Sequence, residues 1–161
     1  MMSGVLIAAL AAAPPSETIQ RTETALVEQL RCREEPKVAL AINAMLRNRL
    51  VRYEANESGV YLFAPTVPLK FLGLPITHIS GFDREIPFRR VPDSRMVGTA
   101  PPQFIQIDVA APAGELKRRA MAAGFVERVP GEDRLGFTVE DGGHNLAGKS
   151  RSTISSIECA N

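Results

Sequence analysis

Four apolar side chains near the start of the chain, Ile19, Leu26, Val27 and Leu30, recur in helical register, so on an α-helix they share one stripe. Glu23, Glu28 and Gln29 fall largely off that stripe, and Ser16 is placed to act as the N-cap. A second stripe follows. Val38, Ala41, Ile42, Met45 and Leu46 repeat at steps of three and four, with Pro36 where a first helical turn tolerates it, and predict a helix to about Asn48. A stripe of this kind is read as core rather than as a cofactor-binding surface.

Near Leu50 the period shortens. Leu50 to Ala55 and Val60 to Ala64 are short runs containing Val, Tyr and Phe around Asn56-Glu57-Ser58-Gly59, which predicts a β-hairpin. Leu69 to Gly73 and Ile76 to Phe82 read as continuing strand, interrupted at Gly73-Leu74-Pro75; because proline cannot donate to a ladder, this point is an edge, a bulge or a bend. Gln103 to Val109 alternates most clearly, with Ile105, Ile107 and Val109 on one face and Gln106 and Asp108 on the other. A helix opening at Pro112-Ala113-Gly114-Glu115 carries Leu116, Ala120, Met121 and Ala123 and stops at Gly124. Phe125 to Val129, Leu135 to Glu140 and Ser152 to Cys159 complete the strands. Two helices, then strands, with one further helix inserted between strands, predict an α+β domain over 16–161 with a largely antiparallel sheet.

Ahead of that domain stands the apolar run Val5 to Ala13, followed by Pro14-Pro15-Ser16. It is too short to cross about 30 Å of hydrocarbon and ends in small residues, so 1–13 reads as a signal peptide, and the protein as periplasmic or secreted with no membrane span after cleavage. No Lys or Arg precedes the run, and Pro14 disfavours cleavage after Ala13, which moves the favoured bond to the one after Ala11. The cysteines agree with export. Cys32 and Cys159 are the two in the chain, and a bridge between them closes a loop of 127 residues.

The chain's 161 residues, 45% hydrophobic, suffice for one domain with its own core. Lys and Arg number 19 against 18 Asp and Glu, so a charged ligand must be met by a local patch. The segment from Asp83 to Pro102 offers one: Arg84, Arg89, Arg90 and Arg95 alternate with Pro87, Pro92, Pro101 and Pro102 without a clear period, and Lys117, Arg118 and Arg119 are candidates to extend it. These arginines are the candidate binding residues for an acidic protein or anionic ligand. Nucleic acid is not expected, because the interleaved aromatics are limited to Phe82 and Phe88.

Catalytic patterns are sparse. His78, Ser80 and Asp83 are residue types of nucleophilic catalysis, but no Gly-x-Ser-x-Gly elbow exposes Ser80, and a turn at Gly81 redirects Asp83. His144 beside Glu140 and Asp141 falls short of a zinc pattern, and the same loop lacks the ligand spacing of an EF-hand. Gly143 to Ser150 spells a phosphate-loop string, yet the residues after it alternate as a strand, so the match is accidental. No cofactor or metal is assigned. The expectation is a small exported, non-enzymatic binding or protein-interaction domain; the alternative is a small exported hydrolase using His78 or His144 with a nearby carboxylate.

Overall fold

The structure is a computed structural model that describes residues 14–57, 59–84, 88, 91, 103–130, 136–142 and 154–160. Residues 1–13, read above as a signal peptide, lie outside them. The fold is α+β: three helices and a seven-stranded antiparallel sheet. Helices α1 (Ser16–Leu30) and α2 (Val38–Arg47) come first, and β1 (Val51–Glu57) and β2 (Val60–Pro65) form the hairpin. Then follow β3 (Lys70–Phe71), β4 (Leu74–Phe82), β5 (Phe104–Val109), α3 (Ala113–Ala122), β6 (Phe137–Asp141) and β7 (Ser155–Ala160). The sheet order is β1-β2-β4-β5-β7-β6, with β3 paired to β4.

The strand alternation decides the two faces. Tyr61, Gly81, Ile105, Cys159 and Phe137 lie in one cross-strand row, and Phe63, Ile79, Ile107, Ile157 and Val139 in the next. Both rows face the helices, because a Cβ on Gly81 would come within 2.8 Å of Val38 Cγ1 and 3.4 Å of Ile42 Cδ1 on α2. Leu26, Leu30, Val38, Ile42, Met45, Leu116 and Ala120 close the core from the helix side. α2 therefore packs closely over Gly81. Gly81→Ala should lower stability by about 1.5 kcal/mol, since Val38 is branched and the third neighbour, Phe104 O at 3.1 Å, is backbone; equal melting temperatures for variant and wild type would contradict this.

Several local expectations are corrected. Pro15, not Ser16, is the N-cap of α1 and makes no side-chain cap, and Pro36 precedes α2 rather than opening it, the N-cap being Lys37. Leu69 to Phe82 is not one interrupted strand: Leu72 and Gly73, at φ of 51° and 77°, form a tight turn that folds β3 back on β4. Pro75 is tolerated because it needs no ladder donor there, while its carbonyl accepts from Ala110 N at 2.9 Å. Phe125 to Val129 is not a strand. Phe125 N returns to Ala120 O to close α3, and only an isolated bridge joins Glu127 to Phe137. Gly81 makes no turn; it lies within β4, paired with both Tyr61 and Ile105.

Candidate functional site

At one end of the sheet β4 finishes, β5 begins and β7 finishes, with Phe82, Phe104 and Ala160 in register. The connection between α1 and α2, residues 31–37, and the first turn of α2 are tied to this end by contacts from β7 and from the residues just after β4 and just before β5. Cys32 and Cys159 lie at disulfide distance, with Cα atoms 5.6 Å apart. Asp83, on the helix side because it follows Gly81 by two, accepts from Ala39 N at 2.9 Å and supplies the cap that Lys37 does not. Arg84 Nη2 donates to Glu35 Oε1 at 3.2 Å, and Gln103 Nε2 donates to Pro36 O at 2.7 Å. Arg84 and Gln103 flank the Arg- and Pro-rich stretch, so both ends of that stretch are fastened to the same short connection.

Of the candidate binding residues, only Arg84 lies among the described residues; Arg89, Arg90 and Arg95 lie outside them. Arg84 is half-exposed, and its pair with Glu35 contributes at most about 1 kcal/mol. Phe88 was not singled out as an anchor by its surroundings in sequence, yet it is buried against Tyr61 and Phe63, edge-on, with ring centroids 4.9 and 5.5 Å away. Phe82 is buried too. The cations of α3 do not join Arg84. Arg119 Nη1 donates to Leu72 O at 2.8 Å, before β4 begins, whereas Arg84 follows its end; nine residues of strand separate them, about 30 Å. Arg119 also binds Glu115, and Lys117 pairs with Glu127.

The sheet face turned away from the helices carries the catalytic residue types. Leu62, Ser80, Gln106, Glu158 and Thr138 form one row; His78, Asp108, Ser156 and Glu140 form the next. His78 Nε2 stands 3.4 Å from Glu54 Oε2, and the two side chains are 27% and 18% exposed, open enough to meet a solute. Glu54 reaches there because the register shifts between Tyr53 and Ala55. Asp108 Oδ1 accepts from Gln106 Nε2 at 2.8 Å. Ser80 is only 1% exposed, and among the described residues its hydroxyl has no hydrogen-bond partner and no base addresses it. Asp83 is on the opposite face, which separates it from His78 and Ser80. His144 lies outside the described residues. Among the described residues no group of three or more His, Cys, Asp or Glu is arranged to hold a metal, and no helix is long and apolar enough to cross a membrane.

No protein-family model matches the chain, and no curated protein or solved structure matches it either.

Proposed function

We propose that this chain is a small exported binding domain, non-enzymatic, that meets an acidic protein or anionic ligand from the stapled end of its sheet. The observation that carries the reading is the Cys32–Cys159 pair at disulfide distance, joining the α1–α2 connection to β7, since such bonds persist in oxidising compartments. Fastening both ends of the Arg-rich stretch to that connection favours binding there, because a loop held on a rigid scaffold has less entropy to lose when it engages a partner. Arg84, Arg89, Arg90 and Arg95 are the proposed contacts.

Mass spectrometry and thiol alkylation after expression in a bacterial host test the exported part. The expected result is an N-terminus between Ala12 and Ser16 with no alkylatable thiol in the native protein; an intact Met1 with two reactive thiols in the cytoplasmic fraction would overturn it. The binding part is tested by capture of partners from the periplasmic or secreted fraction, followed by calorimetry. Adjacent residues in an extended chain point to opposite sides, so Arg89→Ala and Arg90→Ala should weaken binding unequally with little change in melting temperature. Wild-type affinity in both variants would return these arginines to a solvated role.

The His78–Glu54 pair favours a second reading, a hydrolase in which His78 activates water as general base. Hydrolysis of an ester or peptide substrate that is abolished in His78→Gln, with stability unchanged, would establish it in place of the first.

A further inference from the structure

The end of α1 and the α1–α2 connection form an open cavity of about 230 Å³ lined by Glu28, Gln29, Arg33, Glu34, Glu35 and Lys37. We infer that this cavity is an anchor site for a single carboxylate side chain of a protein partner. The inference rests on the exported-binding reading and adds to it a seat formed by residues outside the Arg-rich stretch.

The walls are held before any ligand arrives. Gln29 Oε1 accepts from Lys37 N at 2.7 Å, Arg31 Nη1 lies 3.4 Å from Glu28 Oε1, Arg84 pairs with Glu35, and Cys32 ties the same connection to Cys159. The backbone that carries Arg33 and Lys37 is thereby fastened, which lowers the ordering cost of binding. Those pairs also decide the sign of the occupant. Glu28 and Glu35 are already matched by arginines, whereas Arg33, Lys37 and Glu34 have no ionic partner among the described residues. Two free cations therefore face one free carboxylate. The C-terminal end of α1 adds roughly half a negative charge, and the N-terminal end of α2, which begins after Lys37, adds roughly half a positive one, so the helices cancel and the balance stays positive. Size decides the rest. Pockets for drug-sized ligands run from about 300 to 1,000 Å³, and at about 30 Å³ per water this cavity holds about eight waters, room for one acidic side chain and a few waters around it. A concavity of about 500 Å³ beside Glu17, Gln20, Arg21, Thr24 and Ala25 is larger, but it is lined by one helix alone and its Arg21 is paired with Glu17.

The test is an amide NMR titration of the oxidised full chain with a capped peptide of alternating Glu and Asp, against its Gln and Asn analogue and against sodium acetate. The expected result is saturable shifts at residues 28–37 with the acidic peptide only. Combining Arg33→Ala with Lys37→Ala should weaken binding on the order of tenfold, Glu34→Gln should tighten it about twofold, and Arg118→Ala on α3 should leave it unchanged. Unchanged melting temperatures will show that these exposed substitutions leave the fold intact. Acidic-peptide binding that survives the double variant would overturn this site while leaving the binding reading in place. Acetate giving the same shifts with the same affinity would overturn the assignment to a protein side chain. Absence of saturable shifts in wild type would overturn the anchor, whereas the exported-binding reading falls only on its own localisation and capture experiments.

Discussion

Cys32→Ser will lower the melting temperature of the oxidised protein by about 4 to 20 °C, corresponding to a loss of about 2 to 5 kcal/mol. The bond closes a loop of 127 residues, for which chain entropy alone gives about 5 kcal/mol, and measured values fall at or below that figure. Solvent access gives a second expected result. Cys32 is 4% exposed and Cys159 is 0% exposed, so a reductant cannot reach the sulfurs without opening the structure, and thiols should appear only as fast as the protein unfolds. A third follows from the backbone. Cys32 has a φ of 53°, a left-handed conformation that costs a non-glycine residue about 1 kcal/mol, so Cys32→Gly should be less destabilising than Cys32→Ser although both lose the bond. Calorimetry on the three proteins decides the matter. Equal melting temperatures for wild type and Cys32→Ser would mean that the staple contributes nothing, and the most direct structural support for an oxidising compartment would go with it.

The parts of this fold that were legible in the sequence are those governed by local period. Ile105, Ile107 and Val109 alternate and face the core together, and Leu26, Leu30, Ile42 and Met45 keep helical spacing and are buried. The disulfide was legible for another reason: two cysteines admit only one intramolecular pairing. Contacts between distant segments were not. Nothing near Asp83 announces that it caps a helix forty-four residues earlier, and nothing near Arg84 points to Glu35. The His78–Glu54 approach was hidden because it depends on a bulge, and one inserted residue resets the parity from which strand faces are read. The stretch at 125–129 misled in the other direction. Phe125 and Val129 suit a strand, but a ladder needs backbone partners, and Phe125 N, committed to Ala120 O, belongs to the end of α3. The seat at 28–37 mixes both cases. Its charged residues are plain in sequence, but the pairing of Glu35 is settled by Arg84, which follows the end of β4.

Phe88→Ala will cost about 3 kcal/mol, within the range for truncating a buried phenylalanine. Phe88 is 7% exposed, and its ring meets the edges or faces of Tyr61 and Phe63, both on the helix side of β2. It stands four residues after Arg84 and directly before Arg89 and Arg90, so it is the apolar anchor within the Arg-rich stretch. If that stretch recognises an acidic partner, the anchor contributes twice: to the fold, through area removed from water, and to binding, by ordering the stretch in advance. The two contributions separate against a control of matching size. Phe137 is 1% exposed and packs on Phe125 at the β6 end of the sheet, away from β2, so Phe137→Ala should destabilise at least as much while leaving affinity for an acidic peptide unchanged at temperatures where both variants are folded. Phe88→Ala should weaken that affinity as well. Equal losses of stability with equal affinities would make Phe88 a core residue only, and the recognition of acidic partners would then rest on the seat at Arg33 and Lys37.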